Sequence, residues 1–380
     1  MAITAKINVK DNDISAAIRE FFISVLDTED VRAIMIPQHL PMKKMVMPTL
    51  VTDPQKLETA DPLAPCFPMN AARLVSRLTR KPFGGKILVV LRPCEIRAFY
   101  ELVKLNQGSM DELIIAGLDC LGAYKNSDYL RFLKQHGDKA TGIFYQNALN
   151  GKTEITEGID ISPACKSCEN PIPEGADILI GLLGADINHH LMIQSQSPKG
   201  EAVLKRLNLS EAEEPSSRKE AVSALISKRS AYRDEMFSKT HEATDTLDKL
   251  NDYLANCVNC YNCRVACPVC YCKECVFVTD VFNHEPYQYI KWAKRKGMIK
   301  MPADTVFYHL TRLAHISAAC VGCGQCSNAC PNDIPLAELF RMVAWQTQKA
   351  FDYTAGKSLD EKPPLSVFRE DEFQEIVGIK

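Results

Sequence analysis

Two runs of cysteine in the second half of the chain share one spacing. In each run, three cysteines are separated by two residues, and a fourth follows after three more residues and precedes a proline. The runs are Cys257, Cys260, Cys263 and Cys267 before Pro268, and Cys320, Cys323, Cys326 and Cys330 before Pro331. Thiolates at this spacing hold [4Fe-4S] clusters in proteins that carry two of them. The chemistry that the spacing predicts is one-electron transfer.

The spacing also predicts which cysteines share a cluster. Two-residue gaps let three thiolates wrap one face of a cubane, while the fourth lies too far round the turn and reaches the neighbouring cluster. We therefore expect one cluster on Cys257, Cys260, Cys263 and Cys330, and another on Cys320, Cys323, Cys326 and Cys267. Zinc is the alternative, but it prefers two pairs of ligands. The long helical stretch between the runs is typical of α-helical ferredoxin modules.

Four further cysteines lie in the first half of the chain: Cys94, Cys120, Cys165 and Cys168. Cys94 and Cys120 each follow a predicted strand, so a parallel sheet would place both at its carboxyl edge, where α/β proteins keep their ligands. From the residues alone, a shared cluster, a zinc site and buried free thiols all remain open.

Three more cysteines follow the first run directly, in the stretch CPVCYCKECVF. Cys270, Cys272 and Cys275 predict either a further metal centre, completed by Cys66 or by an outside ligand, or buried thiols without a redox role. They could also replace some ligands of the first run. Cys66 alone favours a packed thiol.

The elements that must position these cysteines alternate between strand and helix. KILVVL (Lys86 to Leu91) is predicted to be a buried strand because its short β-branched run is bounded by Gly84-Gly85 and Pro93. An amphipathic helix, EIRAFYELVKL, follows it. DELIIAGLDC and GADILIGLL predict two more strands. The sequence therefore predicts an α/β domain with a mostly parallel sheet, followed by an α-helical dicluster ferredoxin domain.

Composition shifts divide the chain into four predicted parts. They are an α/β domain (1–195), a charged helical connector (196–256), the ferredoxin domain (257–352) and a C-terminal tail (353–380). We expect three clusters, or four if Cys270 to Cys275 hold a metal.

Charge and hydropathy exclude several classes of function. The net charge of −2 gives no reason to expect nucleic-acid binding, and no run of eighteen apolar residues predicts a membrane span. The N-terminus has no secretory pattern, so we expect a cytoplasmic protein, and a disulfide framework does not suit so long a chain. The basic stretch KWAKRKGMIK predicts a solvated face, with a docking patch for an acidic carrier such as ferredoxin as the alternative.

The segments RPCEIRAF, GLDCLG and CKSCENPIPEGADILIG resemble the β subunits of deazaflavin (factor 420) reducing hydrogenases and related formate dehydrogenases. The resemblance covers roughly residues 80–190. It implies a [4Fe-4S] cluster on Cys94, Cys120, Cys165 and Cys168, beside an FAD that exchanges electrons with a soluble carrier. Many members have Gly-Asp after the Ala-Asp-Ile strand, where this chain has Gly181-Leu182, so the deazaflavin specificity is not carried over.

Taken together, these patterns predict an oxidoreductase subunit of anaerobic metabolism that transfers electrons within a hydrogenase, formate dehydrogenase or heterodisulfide reductase type of complex. Arg92 could contact an FAD phosphate or cap the sheet, and Lys104 is expected to be solvated. The rival hypothesis is a flavin-free adaptor that connects two other redox subunits. No catalytic triad or carboxylate pair is evident, so we expect the net reaction to need partner subunits.

Overall fold

A mixed β-sheet organises the first half of the chain. The computed structural model describes residues 3–28, 30–41 and 43–366. Its strands are β1 (Thr4–Asn8), β2 (Val31–Leu40), β3 (Lys43–Val51), β4 (Lys86–Leu91), β5 (Leu113–Leu118), β6 (Ile178–Gly181), β7 (His190–Ser195) and β8 (Ser210–Glu211). They pair in the order β3-β2-β4-β5-β6-β7-β1-β8.

Helices surround the sheet and build the rest of the chain. Around the sheet lie α1 (Ile14–Leu26), α2 (Ala72–Leu78), α3 (Pro93–Lys104), α4 (Asn126–His136), α5 (Ala140–Leu149), α6 (Pro163–Lys166) and α7 (Pro198–Leu207). Then come α8 (Arg218–Thr244), α9 (Leu247–Tyr253), α10 (Asn262–Ala266), α11 (Pro286–Lys296), α12 (Thr305–Ile316), α13 (Gln325–Asn328) and α14 (Leu336–Ala350). Short 3₁₀ helices lie at Pro54–Thr59, Gly137–Lys139, Val276–Val278 and Asp280–Phe282.

The sheet is parallel only at its centre. The pairs β2-β4, β4-β5 and β5-β6 are parallel, as expected for strands that are apolar on both faces. The pairs β2-β3, β6-β7, β7-β1 and β1-β8 are antiparallel. The prediction of a mostly parallel sheet therefore holds for the core and is wrong for both edges. Strands that were not recognised in the sequence join the sheet there, namely β3 at one edge and β7, β1 and β8 at the other.

The two faces of the sheet bury different partners. One face packs against α1, α4, α5 and α7, with Ile34, Val90 and Ile114 among its contacts. The other face presents Met35, Val89 and Ile115 to α2 and α3, and the same core continues into α9, α12 and α14. The cysteine-rich helical part and the sheet thus share one hydrophobic core.

The helical part begins later than the predicted boundary at residue 195. Strand β8 pairs with β1 and α7 packs on the sheet, so the α/β fold continues to about residue 211. At the other end, Ala355 is fully buried and accepts a hydrogen bond from Nε of Arg97 at 2.9 Å. Residues 367–380 of the predicted tail lie outside the described residues. No described helix combines the length and apolar character that a membrane span requires.

Lys104 is buried, contrary to the expectation of a solvated side chain. Its side chain is 3% exposed, and Nζ lies 3.0 Å from Oε1 of Glu101. It also donates to the hydroxyl of Tyr353 at 2.8 Å. The prediction failed because residues 353–356 return onto α3, which helical periodicity does not show.

A buried ion pair joins the ends of two central strands to the start of α8. Arg218, the first residue of α8, donates two hydrogen bonds to the Asp119 carboxylate, at 2.5 and 2.9 Å. The backbone N–H groups of Leu182 and Leu183 donate to the same carboxylate. Asp119 precedes Cys120, so this pair ties β5, β6 and α8 together next to that cysteine.

We predict that Asp119→Ala lowers the free energy of unfolding by about 3–5 kcal/mol, because the Arg218 guanidinium would be left buried without its partner. The matched control is Glu235→Ala, which removes a pair with Lys239 whose side chains are 63% and 74% exposed. That change should cost less than about 1 kcal/mol. Urea unfolding followed by circular dichroism measures both, and equal losses would contradict the role of the buried pair in joining the three elements.

Candidate metal centres

The first predicted group of cysteines lines one cavity. Cys257, Cys260, Cys263 and Cys330 surround it together with Tyr308 and His309, at the start of α10 and the end of α13. Nε2 of His309 lies 3.4 Å from Sγ of Cys257. Burial, followed by the charges of Arg312 and Lys300, lowers the pKa of His309 to about 3, so this imidazole is neutral.

The second predicted group lies deeper in the molecule. Burial raises the pKa of Cys267 to about 12, and the neighbouring Cys320 adds to the rise. Burial also raises the pKa of Cys323, with Cys267 as the largest contribution from another thiol. Cys267 therefore lies among the cysteines of the second run, and Cys330 among those of the first. Four thiols in each group match the donor set of a cubane.

Both cysteine runs turn the backbone in the same way. The residue before the second cysteine and the residue after it have positive φ in each run: Asn259 (50°) and Tyr261 (61°), then Gly322 (70°) and Gly324 (77°). A left-handed residue at these points wraps the chain around one volume, and glycine adopts it without steric cost. Tyr261 instead packs on Tyr308, with ring centroids 4.9 Å apart.

The third group forms at the carboxyl edge of the parallel strands. Cys94 follows β4 and Cys120 follows β5, while Cys165 lies in α6 with Cys168 just beyond it. Burial raises the pKa of Cys120, and Cys165 and Cys168 add to the rise. Backbone bonds hold these segments together, since the N–H of Cys120 donates to the carbonyl of Pro171 at 2.7 Å. Cys94 neighbours Cys120 and Cys168, so the four cysteines that the family resemblance implies as one ligand set lie in the same region.

Glu95 fixes the first turn of α3, which carries Cys94. Its carboxylate accepts hydrogen bonds from the backbone N–H of Arg92 at 2.8 Å and of Ala71 at 2.7 Å. The first of these belongs to a capping box at the start of α3, where the N–H groups would otherwise lack partners. Cys94 therefore extends from a helix end that is rigidly held.

The third group adjoins the second. Burial raises the pKa of Cys94 well above its usual value, and Cys323 makes the largest contribution of any neighbouring group. Side-chain amides of Gln325 and Asn328 both donate to the carbonyl of Phe67, at 2.9 and 3.0 Å. The second cysteine run is therefore fastened to the loop that precedes α2. The second and third groups therefore lie next to each other.

The guanidinium of Arg92 makes hydrogen bonds and a ring contact within the protein. Nη2 donates to the carbonyls of Ala64 at 2.8 Å and Cys66 at 2.9 Å, and the group stacks 5.1 Å from the ring centroid of Phe67. These contacts support the capping role over the phosphate role for Arg92. The adjoining cavity, which Cys120 also lines, has a volume of about 30 Å³, enough for only one or two waters.

A larger cleft lies beside the first turns of α8. It has a volume of about 730 Å³ and lies between β6, β7 and the first turns of α8. Its lining includes Gln194, Gln196, Lys219, Ser223 and Ser227. This volume is within the range of sites for cofactors. Two positions after Ser227, Arg229 donates to the carbonyl of Cys120 at 3.2 Å, so α8 leads from the cleft to the third group.

The remaining cysteines lie in two separate places. Cys66 is buried among residues of the α1 face of the sheet, whereas Cys270 and Cys275 pack at the core on the opposite face. Cys66 is therefore not a partner of that trio. Burial raises the pKa of Cys270, and Cys272 and Cys275 add to the rise. Among the described residues, no three or more His, Cys, Asp or Glu side chains form a site for a single ion.

Sequence reasoning missed the arginines that accompany the cysteine groups. Arg312 and Arg229 are 3% and 4% exposed, and each bonds to a predicted cluster ligand. A signal for Arg312 is present in the sequence, because Tyr308, Arg312 and Ile316 recur at intervals of four on the buried side of α12. Arg229 carries no comparable signal, since few residues of the long helix α8 are buried.

Two family models match the chain. One describes the C terminus of the coenzyme F420 hydrogenase/dehydrogenase beta subunit and matches residues 84–218, and the other, a 4Fe-4S dicluster domain, matches residues 253–334. The two matches cover the regions that hold the third group and the first two groups, respectively.

Similar proteins include two curated relatives and one solved structure. The F420-dependent formate dehydrogenase subunit beta of Methanocaldococcus jannaschii is 30% identical over 344 residues, which are 84% of this chain and 85% of that protein. The F420-dependent formate dehydrogenase 1 subunit beta of Methanococcus maripaludis is 25% identical over 346 residues, 84% of each chain. A chain of the F420-reducing [NiFe] hydrogenase complex from Methanosarcina barkeri aligns with a TM-score of 0.46 at 13% identity, covering 65% of this chain and 94% of that one.

We predict that Gly324→Ala destabilises the junction between the second and third groups. Its φ of +77° disfavours a side chain, and a Cβ would lie only 2.5 Å from Cβ of Ala164. The matched control is Gly297→Ala, where φ is +83° and a Cβ would meet nothing within 4 Å.

Backbone strain alone should cost the control about 1 kcal/mol, whereas Gly324→Ala should lose about 1–3 kcal/mol more because the cysteine run must move away from α6. Thermal unfolding under anaerobic conditions compares the two. Equal losses would mean that the two segments do not meet as described.

Proposed function

We propose a specific task for this chain, which belongs to the coenzyme F420 hydrogenase/dehydrogenase β-subunit family and is a subunit of an oxidoreductase. It conducts electrons through three [4Fe-4S] clusters between a flavin at the α/β domain and a partner catalytic subunit. The family resemblance predicted from the three sequence motifs is confirmed.

The observation that supports this proposal best is the contiguity of the three cysteine groups. Cys94 of the third group neighbours Cys323 of the second, and Arg312 connects the second group with Cys263 of the first. Each group offers four thiols, the number that a cubane takes. When bound, the clusters supply one-electron redox chemistry, and this chain supplies their ligands, their spacing and their insulation from water.

The first group lies at the surface where electrons could enter or leave the chain. Cys260 is exposed, and Val258 and Val265 beside it are 58% and 59% exposed. We infer that a partner protein packs over this surface and receives or delivers electrons there. The curated relatives are named as subunits of formate dehydrogenases, so we propose a catalytic subunit of that class as the partner.

We propose that FAD occupies the cleft between β6, β7 and α8. Lys219 offers a positive charge for the phosphates, and the serine and glutamine side chains offer hydrogen bonds. A flavin converts between two-electron and one-electron steps, so it suits the end of a series of clusters. The helix that lines this cleft also contacts the third group, since Arg229 of α8 donates to the carbonyl of Cys120, and this contact supports the placement.

We propose that the flavin exchanges electrons with a soluble two-electron carrier. The relatives are named for dependence on F420. Leu182 stands where many family members have aspartate. It is 1% exposed, and its N–H donates to the Asp119 carboxylate, so this residue stabilises the sheet and does not contact a carrier. The basic helix α11, with Lys294, Arg295 and Lys296 in its last turn, stays a candidate docking patch for an acidic carrier.

Anaerobic purification with iron counted per chain tests the clusters. We predict about twelve iron atoms, four for each cubane, in the wild type. Cys330→Ala should lower the count by about four, whereas Cys66→Ala, which removes a buried thiol of the sheet core, should leave it unchanged. About sixteen irons would add a fourth centre at Cys270, Cys272 and Cys275. A protein with zinc and no iron would overturn the proposal.

Flavin content tests the cleft. We predict about one FAD per wild-type chain, and a loss of most of it in Ser223→Trp, because the indole fills the cleft. Ala224→Trp, on the same helix but outside the cleft lining, is the matched control and should keep its flavin. Iron should be unchanged in both variants. Flavin retained in Ser223→Trp would place the cofactor elsewhere, and a wild type without flavin would favour the adaptor function.

A further inference from the structure

Arg312 is a buried cation without a carboxylate partner. It lies in the middle of α12 and is 3% exposed. Two other buried arginines have acidic partners, since Arg218 pairs with Asp119 and Arg341 with Glu169. No ion pair among the described residues includes Arg312, and its Nε has no hydrogen-bond partner there.

The contacts of this guanidinium are with sulfur and with rings. Nη1 donates to Sγ of Cys263 at 3.0 Å, and Nη2 donates to the carbonyl of the same residue at 3.3 Å. The guanidinium carbon lies 4.6 Å from the ring centroid of Phe340 and 5.6 Å from that of Tyr308. The side chain is thus held in one place between two aromatic rings, beside a ligand of the first predicted cluster.

The same charge lies next to the second group. Helix α10, which carries Cys263, packs against α13, which carries Cys326. Cys267 follows the last residue of α10 directly. One guanidinium therefore lies beside both ferredoxin-type groups.

Burying a lone cation costs several kcal/mol unless an anion compensates it. At this position, the anions available are the thiolates and the clusters that they hold. Each electron that a cluster gains makes it more negative, so a fixed cation nearby stabilises the reduced form more than the oxidised form. Charge and hydrogen bonds to sulfur are among the properties that set cluster potentials.

We propose that Arg312 is a positioning residue that raises the reduction potentials of both ferredoxin-type clusters and keeps them in the same range. The inference rests on the proposed function, because it needs both clusters to be present. In either direction of transfer, the cluster that gives up the electron would be oxidised and the cluster that takes it up would be reduced. No proton moves with it, since an arginine stays charged throughout.

The test is a redox titration of the full anaerobic chain, followed by electron paramagnetic resonance, in wild type, Arg312→Gln and Arg312→Lys. At a fixed potential, Arg312→Gln should lower the ratio of reduced to oxidised form at least tenfold for both C-terminal clusters. This is about 59 mV for a one-electron couple. The cluster of the α/β domain is an internal reference and should not shift. Arg312→Lys keeps the charge and should stay closer to the wild type.

Arg229→Gln is the matched control, because this buried arginine donates to the carbonyl of Cys120 in the third group. It should shift the α/β cluster and leave the other two unchanged. Arg312→Met, which keeps an apolar stem between the rings, is a second neutral variant in case Arg312→Gln loses iron, and it should show the same fall.

The inference is overturned if Arg312→Gln leaves both potentials unchanged, or if all three fall equally. Loss of iron from both neutral variants, with iron retained in Arg312→Lys, would also overturn it, because the charge would then be required for assembly alone. Failure of the proposed function looks different, since wild-type protein would then show no cluster signals.

Discussion

The structure depends on burying many thiols where water cannot solvate their anions. Desolvation raises the pKa of seven predicted ligands, so an ionised thiolate is stable there only with compensating positive charge or iron. They are Cys94, Cys120, Cys257, Cys267, Cys320, Cys323 and Cys326. The chain places an arginine beside each group: Arg92 and Arg229 near the third, and Arg312 between the other two. These cations account for the positions of several loops, because the same guanidinium groups also hold backbone carbonyls.

The shared core explains why three groups from distant segments keep a fixed arrangement. The face of the sheet that carries Met35 and Val89 belongs to the same hydrophobic cluster as α12 and α14. Hydrogen bonds also fix how the helical part is oriented on the sheet. Arg341 of α14, for example, donates to Oγ of Ser167 at 2.6 Å beside the third group. A glycine at 324 allows the closest approach, because any Cβ there would meet Ala164. The cysteine-rich module is therefore built onto the sheet and does not depend on a flexible linker for its position.

The sequence predicted those features that local patterns encode. Strand β4 was predicted with its observed bounds, and the helical dicluster region and the family follow from cysteine spacing and short motifs. The antiparallel edges of the sheet were missed, because the pairing of β1 with β7 joins residues almost two hundred positions apart and leaves no local pattern. The burial of Lys104 was misjudged, and the role of Arg312 was missed, for a related reason. Charged residues are usually solvated, and only tertiary contacts with Glu101 or with Cys263 reveal the exceptions.

We propose that three iron–sulfur clusters lie in series, with the Cys320 group in the middle. X-ray diffraction from anaerobically grown crystals, with data collected on both sides of the iron absorption edge, tests it most directly. We predict three compact anomalous peaks, one at each group of four cysteines. The peak at Cys267, Cys320, Cys323 and Cys326 should lie between the other two. Absence of iron at Cys94, Cys120, Cys165 and Cys168, or a middle peak ligated by Cys330 instead of Cys267, would contradict it.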